Sequence, residues 1–223
     1  MKNEVRLLQR INLVGAGALL CLNSTFAFPS VPIESFPDSS LENWKERSFI
    51  GNTEYELVQQ QGKTVLRGTT DRAASVLYKE KTIRVADTPW LSWQWKIDSA
   101  YTLLNETTKA GDDFPARIYV TAKTGFLPWE SVAINYVWSS YQAINTAWQS
   151  PYTEKSVLIA VQSGNTNAGN WVSQQRNIAE DFKQFFNVEI EHITGLAIMV
   201  DGDNAGQSGT AYFGKFEFSS RKQ

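Results

Sequence analysis

Short stretches in which apolar and polar residues alternate recur along this chain. In residues 90–97, Leu91, Trp93, Trp95 and Ile97 fall on one side, and serine, glutamine and lysine separate them. Successive side chains of a β-strand point to opposite faces, so a period of two predicts a strand with one buried face. We expect Trp93 and Trp95 to fill a core.

The same alternation, or an apolar run of strand length, recurs with turn residues in between. These stretches are residues 53–59, 63–67, 74–85, 116–122, 131–138, 157–162, 192–200 and 211–218. Gln60-Gln61-Gly62 predicts a hairpin turn between the first two of them. Helical spacing is confined to residues 173–186, which Asn170 or Ser173 would cap.

Many short strands and one helix indicate an all-β domain. We expect a single antiparallel β-sandwich over residues 41–220, jelly-roll-like and similar in architecture to a carbohydrate-binding module, with one packed α-helix. Residues 28–40 contain three prolines and are expected to form an extended lead-in.

Residues 1–27 have the pattern of a signal peptide. Lys2, Arg6 and Arg10 precede the apolar residues 11–22, and small residues follow around Ala27. The apolar run is shorter than the roughly 20 residues that cross a bilayer. We therefore expect a bacterial protein that is exported to the periplasm or secreted, without stable membrane insertion after cleavage.

Composition excludes several kinds of chemistry. The sole cysteine, Cys21, lies in the signal segment, so the mature chain has no disulfide and no thiolate ligand. His192 is the single histidine, which leaves little basis for a catalytic triad or a zinc site. A net charge of −2 makes nucleic acid a poor candidate partner. None of these patterns predicts an oligomeric state.

Two adjacent carboxylates, Asp112 and Asp113, stand before a predicted strand that contains Arg117. In a loop, both carboxylates could converge on a cation or on sugar hydroxyls; alternatively, they bond to nearby backbone amides in a turn. Arg117 shares a strand face with Tyr119. It could bind the carboxylate of an acidic sugar, or form an ion pair with Asp112, Asp113 or Asp201.

A second acidic loop, residues 201–206, follows a buried strand. It is not an EF-hand, because Tyr212 occupies the twelfth position, where a glutamate belongs. If this loop meets Asp112 and Asp113 in space, Asp201 and Asp203 are candidate Ca²⁺ ligands; otherwise, it is a solvated turn. We expect no other cofactor.

Aromatic and amide side chains gather in residues 129–138. Flat rings stack on sugar faces and amides bond to hydroxyls, so a ligand role is one interpretation, and burial in the core is the other. The candidates for binding in this region are Trp129, Asn135, Tyr136 and Trp138. Arg176 is a further candidate.

Several motifs, in this order along the chain, resemble a bacterial family known as domain of unknown function 3047. They are Trp93-Gln94-Trp95-Lys96-Ile97-Asp98, Lys109-Ala110-Gly111-Asp112-Asp113-Phe114, Asn135-Tyr136-Val137-Trp138 and Met199-Val200-Asp201-Gly202-Asp203-Asn204. The resemblance covers nearly the whole mature chain. It implies an exported β-sandwich and assigns no chemistry.

These observations favour a protein that binds a glycan or another polyol. Two alternatives remain open. A polysaccharide-active enzyme could use Asp112, Asp113, Asp201 and Asp203 as glycosidase acid and base, or Arg117, Tyr136 and Arg176 in a lyase reaction. A scaffold protein of the cell envelope would need no small ligand.

Overall fold

The computed structural model describes residues 30–34, 40–102, 105–125, 127 and 130–222. The expected signal peptide, most of the lead-in and Trp129 lie outside these residues. Within them, the chain forms thirteen β-strands and one α-helix. The elements are β1 Ser30–Glu34, β2 Lys45–Ile50, β3 Glu54–Gln60, β4 Lys63–Asp71, β5 Ala74–Arg84, β6 Trp90–Ile97, β7 Arg117–Lys123, β8 Ser131–Ser139, β9 Ala147–Gln149, β10 Ser156–Ser163, β11 Val172–Asn177, α1 Ile178–Phe186, β12 His192–Met199 and β13 Ser208–Ser219.

The strands form two sheets. The six-stranded sheet has the order β11-β6-β13-β4-β3, and β1 also pairs with β13; the seven-stranded sheet has the order β2-β5-β12-β7-β8-β10-β9. Every pairing in the described residues is antiparallel except that of β8 with β10, which is parallel. The chain passes from β8 to the edge strand β9 and then turns back into β10, which lies between them and runs antiparallel to β9. The predicted β-sandwich with one helix is confirmed.

The core lies between the two sheets and is rich in aromatic rings. Trp93 of β6 meets Tyr136 of β8 with ring centroids 5.2 Å apart, and Trp95 meets Trp138 at 5.7 Å. All four side chains are almost fully buried, which confirms the core role of Trp93 and Trp95. It also corrects the expectation that Tyr136 and Trp138 face a ligand, because the alternation of β8 points both rings inward and Asn135 outward.

Local sequence explains the turns and the helix start. Gln61 and Gly62 both have positive φ, 50° and 76°, which suits the predicted hairpin between β3 and β4. The helix is shorter than predicted: residues 172–177 form β11 and satisfy the free backbone groups at the edge of β6. Asn177 is its N-cap and accepts a hydrogen bond from the Glu180 amide at 3.3 Å.

A buried polar network fixes α1 to the sandwich. Tyr136 Oη donates to Asp181 Oδ2 at 2.6 Å, and Arg176 Nε donates to the same oxygen at 2.9 Å. Arg176 also donates to Asn145 Oδ1 at 3.3 Å. Arg176, which we expected to bind a ligand, is thus paired with Asp181 on the side of the helix. No helix in the described part of the chain is long and apolar enough to cross a bilayer.

Candidate functional site

Arg117 and Asp201 meet at one end of the seven-stranded sheet. Arg117 opens β7 and is paired in register with Met199, the last residue of β12, so Asp201 follows at the same end. Arg117 Nε donates to Asp201 Oδ1 at 2.8 Å, and Nη2 donates to Oδ2. Both side chains are buried, and this two-point contact is the strong form of the arginine–carboxylate pair.

Asp112 completes the surroundings of the guanidinium. Arg117 Nη1 donates to Asp112 Oδ2 at 3.3 Å, and Nη2 donates to the Asp112 carbonyl at 2.8 Å. The Phe114 ring lies 4.8 Å from the guanidinium carbon. Arg117 was predicted either to bind an acidic sugar or to form an ion pair within the protein. The structure shows the ion pair, with Asp112 and Asp201.

Asp113 joins the two acidic loops. Its Oδ1 accepts from the backbone amide of Asn204 at 3.1 Å and from Asn204 Nδ2 at 3.0 Å, and its Oδ2 accepts from the Ala205 amide at 2.6 Å. The side chain is fully buried. Asp113 thus accepts hydrogen bonds from backbone amides, as the turn interpretation predicted. The amides belong to the other acidic loop, about ninety residues away in sequence, rather than to its own turn.

Burial dominates the electrostatics of this acidic cluster, by which we mean Asp112, Asp113, Asp201 and Asp203. Burial raises the pKa of Asp201 to about 7, against the opposing effect of Arg117. Burial also raises the pKa of Asp112 and of Asp203, and the charge of Asp113 adds to both effects. Burial is the largest cause for Asp112, Asp201 and Asp203, because it disfavours the charged carboxylate, and the neighbouring carboxylates raise these three pKa values further.

The cluster has the composition of a cation site. One carboxylate oxygen each from Asp113, Asp201 and Asp203 lies within 4.8 Å of the others. The sequence-predicted residues Asp112, Asp113, Arg117, Asp201 and Asp203 are therefore brought together. Of the carboxylates expected as a glycosidase acid and base, Asp112, Asp113 and Asp201 are buried and Asp203 is partly exposed.

Next to the cluster, the outer face of the seven-stranded sheet carries two adjoining depressions. One has a volume of about 420 Å³ and reaches from Asp112 and Arg117 to Asn135 and Tyr152. The other has a volume of about 710 Å³ and lies over β2, β5, β7 and β12. Phe49, Tyr119 and Thr121 line both depressions, so we describe them together as the sheet groove.

Aromatic rings and polar groups both line the sheet groove. Phe49 and Tyr152 are more than half exposed, and Tyr119 is half-buried. Thr121 Oγ1 lies 3.1 Å from Thr194 Oγ1. Asn135 Nδ2 donates to Ser156 Oγ at 2.5 Å, whereas Asn135 Oδ1 is buried without a hydrogen-bond partner.

The sequence prediction missed most of the groove. Phe49 lies on β2, which shows no apolar alternation, and Tyr78 lies in residues 74–85, which were predicted as a strand without a ligand role. The sequence signal that could have located the groove is the alternation of β7, which puts Arg117, Tyr119 and Thr121 on one face of the strand. Trp148 packs against Phe114, with ring centroids 6.2 Å apart.

The fold and this face define a two-sheet β-sandwich with a groove across one outer surface. The chain belongs to the family described as "Protein of unknown function (DUF3047)", which matches residues 42–217. No curated protein sequence matches the chain.

Solved structures with a similar strand arrangement include three proteins with different printed descriptions. The family 11 carbohydrate-binding module of the cellulosomal cellulase Lic26A-Cel5E of Clostridium thermocellum has a TM-score of 0.45 at 11 % identity, over 86 % of this chain and 95 % of that one. A lectin from Bauhinia forficata in complex with GalNAc has a TM-score of 0.42 at 10 % identity, over 86 % of this chain and 98 % of that one. A cellulase derived from Cel12A of Rhodothermus marinus has a TM-score of 0.42 at 8 % identity, over 86 % of this chain and 100 % of that one. At this similarity, they carry no argument about what this chain binds.

Proposed function

We propose that this protein is a glycan-binding β-sandwich protein that holds a saccharide in the sheet groove. The observation that carries the proposal is the pair of exposed rings, Phe49 and Tyr152, at a groove that the polar side chains of Thr121 and Asn135 also line. Sugar rings have apolar faces that stack on aromatic rings and hydroxyls that need donors and acceptors. Residues 1–27, with the pattern of a signal peptide, support export to the periplasm or secretion.

The groove floor offers an acceptor that needs a donor. Asn135 Oδ1 is buried and has no partner, although its amide nitrogen is held by Ser156. A buried polar atom without a hydrogen bond costs about 1–3 kcal/mol. Asn135 lines the groove, so a hydroxyl of a bound saccharide would supply the missing donor once the Asn135 side chain turns toward it.

The charge of the groove favours acidic saccharides. Apart from Arg117, which pairs with Asp112 and Asp201, four basic residues line it, against the acidic Glu80 and Asp112, although the whole chain has a net charge of −2. The basic residues are Arg47, Lys79, Lys123 and Lys155. A local positive field attracts carboxylate or sulfate groups, so binding should weaken as the salt concentration rises.

Calorimetric titration with saccharides tests the proposal. The panel contains neutral gluco-, manno- and galacto-oligosaccharides and oligosaccharides of uronic acids. We expect binding, tightest for the acidic members. Phe49→Ala should weaken it about 2- to 13-fold, which corresponds to the roughly 0.5–1.5 kcal/mol of one aromatic contact.

Tyr141→Ala is the matched control, because Tyr141 is as exposed as Phe49 (55 % each) and does not line the groove. It should leave the affinity unchanged. The proposal fails if no saccharide binds, or if Tyr141→Ala weakens binding as much as Phe49→Ala. Chromatography of each saccharide after incubation is a second test: a binding protein leaves it intact, and shorter or unsaturated products would support the enzymatic alternative.

A further inference from the structure

The oxygen atoms of the acidic cluster have the spacing that a calcium ion requires. Ca²⁺ binds oxygens at about 2.3–2.6 Å, so its ligand oxygens lie at most about 5 Å apart. Asp113, Asp201 and Asp203 each present one oxygen within 4.8 Å of the other two. These carboxylates come from two loops that Asp113 already joins.

Two buried polar atoms beside these carboxylates have no partner. Asp112 Oδ1 and Tyr101 Oη are buried without a hydrogen bond, in side chains that are 5 % and 4 % exposed. The charges of Asp113 and Asp203 act on Asp112, and those of Asp201 and Asp113 act on Tyr101, so both groups lie in the field of the cluster. A bound ion with its water shell would give both groups a partner.

The charge of the cluster is also unbalanced. When ionised, the four carboxylates carry three more charges than Arg117 balances, and three of the four are buried. Unpaired charge in a protein interior is costly. A divalent cation would remove two of the excess charges while leaving the Arg117–Asp201 pair in place.

We infer that the acidic cluster is a Ca²⁺ site, with Asp113, Asp201 and Asp203 as carboxylate ligands. Oxygen-only ligands without histidine or cysteine suit Ca²⁺ rather than zinc or copper. The Asn204 side-chain nitrogen lies 3.0 Å from Asp113 Oδ1 and 3.4 Å from Asp203 Oδ1. Asn204 therefore bridges two of the proposed ligands, and an ion that fixes them also fixes this side chain.

The ion would order one rim of the sheet groove. Asp112 lines the groove, and so does Tyr152, whose hydroxyl donates to Asn204 Oδ1 at 2.6 Å. Fixing the two acidic loops together therefore fixes an aromatic ring over the groove. This consequence rests on the proposed glycan function, whereas the ion site itself does not.

Terbium luminescence and thermal unfolding test the site directly. The full chain is first stripped with EDTA. Tb³⁺ should bind and luminesce on excitation of tyrosine, and Ca²⁺ should displace it. Ca²⁺ at about 100 times its Kd should raise the unfolding midpoint by roughly 5–10 °C, and Mg²⁺ should do so less.

Asp203→Asn is the variant of choice, because Asp203 is partly exposed and makes no ion pair with Arg117. It should unfold in EDTA at the wild-type midpoint but bind Ca²⁺ at least 10-fold more weakly. Asp87→Asn is the control: it removes the same charge from an exposed residue paired with Arg84 and should bind Ca²⁺ like the wild type.

The inference is overturned if the wild type shows neither Tb³⁺ luminescence nor a Ca²⁺ shift, or if Asp203→Asn binds as tightly as Asp87→Asn. No saccharide is present in these measurements. Failure of the ion site therefore leaves the saccharide titrations to be judged separately, and failure of those titrations leaves the ion site standing.

Discussion

Replacing Arg117 by methionine should strongly destabilise the protein. Arg117 makes four polar contacts, two with the Asp201 carboxylate, one with the Asp112 carboxylate and one with the Asp112 carbonyl. Methionine keeps most of the apolar stem but leaves both carboxylates buried without a cation. Removing one partner of a buried ion pair costs about 3–5 kcal/mol.

The structure limits how much unfolding free energy the Arg117→Met substitution can remove. The pKa of Asp201 is already about 7 because of its burial, so without Arg117 this carboxyl becomes protonated at neutral pH. Protonation avoids the full cost of a buried charge. We therefore expect a loss near about 3 kcal/mol at pH 7, the lower end of the range for buried pairs.

Urea denaturation of the full chain in EDTA measures this loss. Asp201→Asn and the double variant complete a mutant cycle. The double variant should be more stable than Arg117→Met alone, because asparagine at position 201 is uncharged and needs no proton to be buried, whereas Asp201 must take one up at neutral pH. A loss below about 1 kcal/mol for Arg117→Met, the range of exposed ion pairs, or strict additivity in the cycle, would refute the buried pair.

Three further substitutions test separate parts of the fold by urea denaturation. Tyr136→Phe removes the hydroxyl that donates to Asp181 and should cost about 1–2 kcal/mol, with unchanged saccharide affinity in the calorimeter; a large loss of affinity would restore Tyr136 to the site. Asn177→Ala removes the helix N-cap and should cost about 1 kcal/mol, and no loss would show that the cap is dispensable. Gly209→Ala places a methyl group 2.6 Å from Tyr101 Cε1 and should cost about 1–3 kcal/mol, whereas a neutral result would mean that this buried ring shifts freely.

The sequence predicted strands well where one face is buried. The bounds predicted for β6 coincide with Trp90–Ile97, because its tryptophans alternate with polar residues. It failed for β2, β9 and β11, which lie at the edges of the sheets. All six residues of β2 are exposed, so no apolar alternation marks it.

The candidate site was predicted in part. Asp112, Asp113, Arg117, Asp201 and Asp203 were recognised because acidic residues and glycine stand at the ends of apolar strands. Their contacts were not predictable, since the pairing of β7 with β12 joins residues more than 70 positions apart. Successive residues of β8 face opposite sides of the sheet. This alternation alone would have predicted that Tyr136 and Trp138 share one face and Asn135 lies on the other.

Nuclear magnetic resonance tests the central claim, that the sheet groove binds saccharide, most directly. Amide resonances of the uniformly labelled protein would be followed during titration with the tightest-binding acidic oligosaccharide. The account predicts that the shifts concentrate on Phe49, Tyr119, Thr121 and Asn135. Shifts centred on the outer face of the six-stranded sheet, around Gln94 and Trp171, would contradict it.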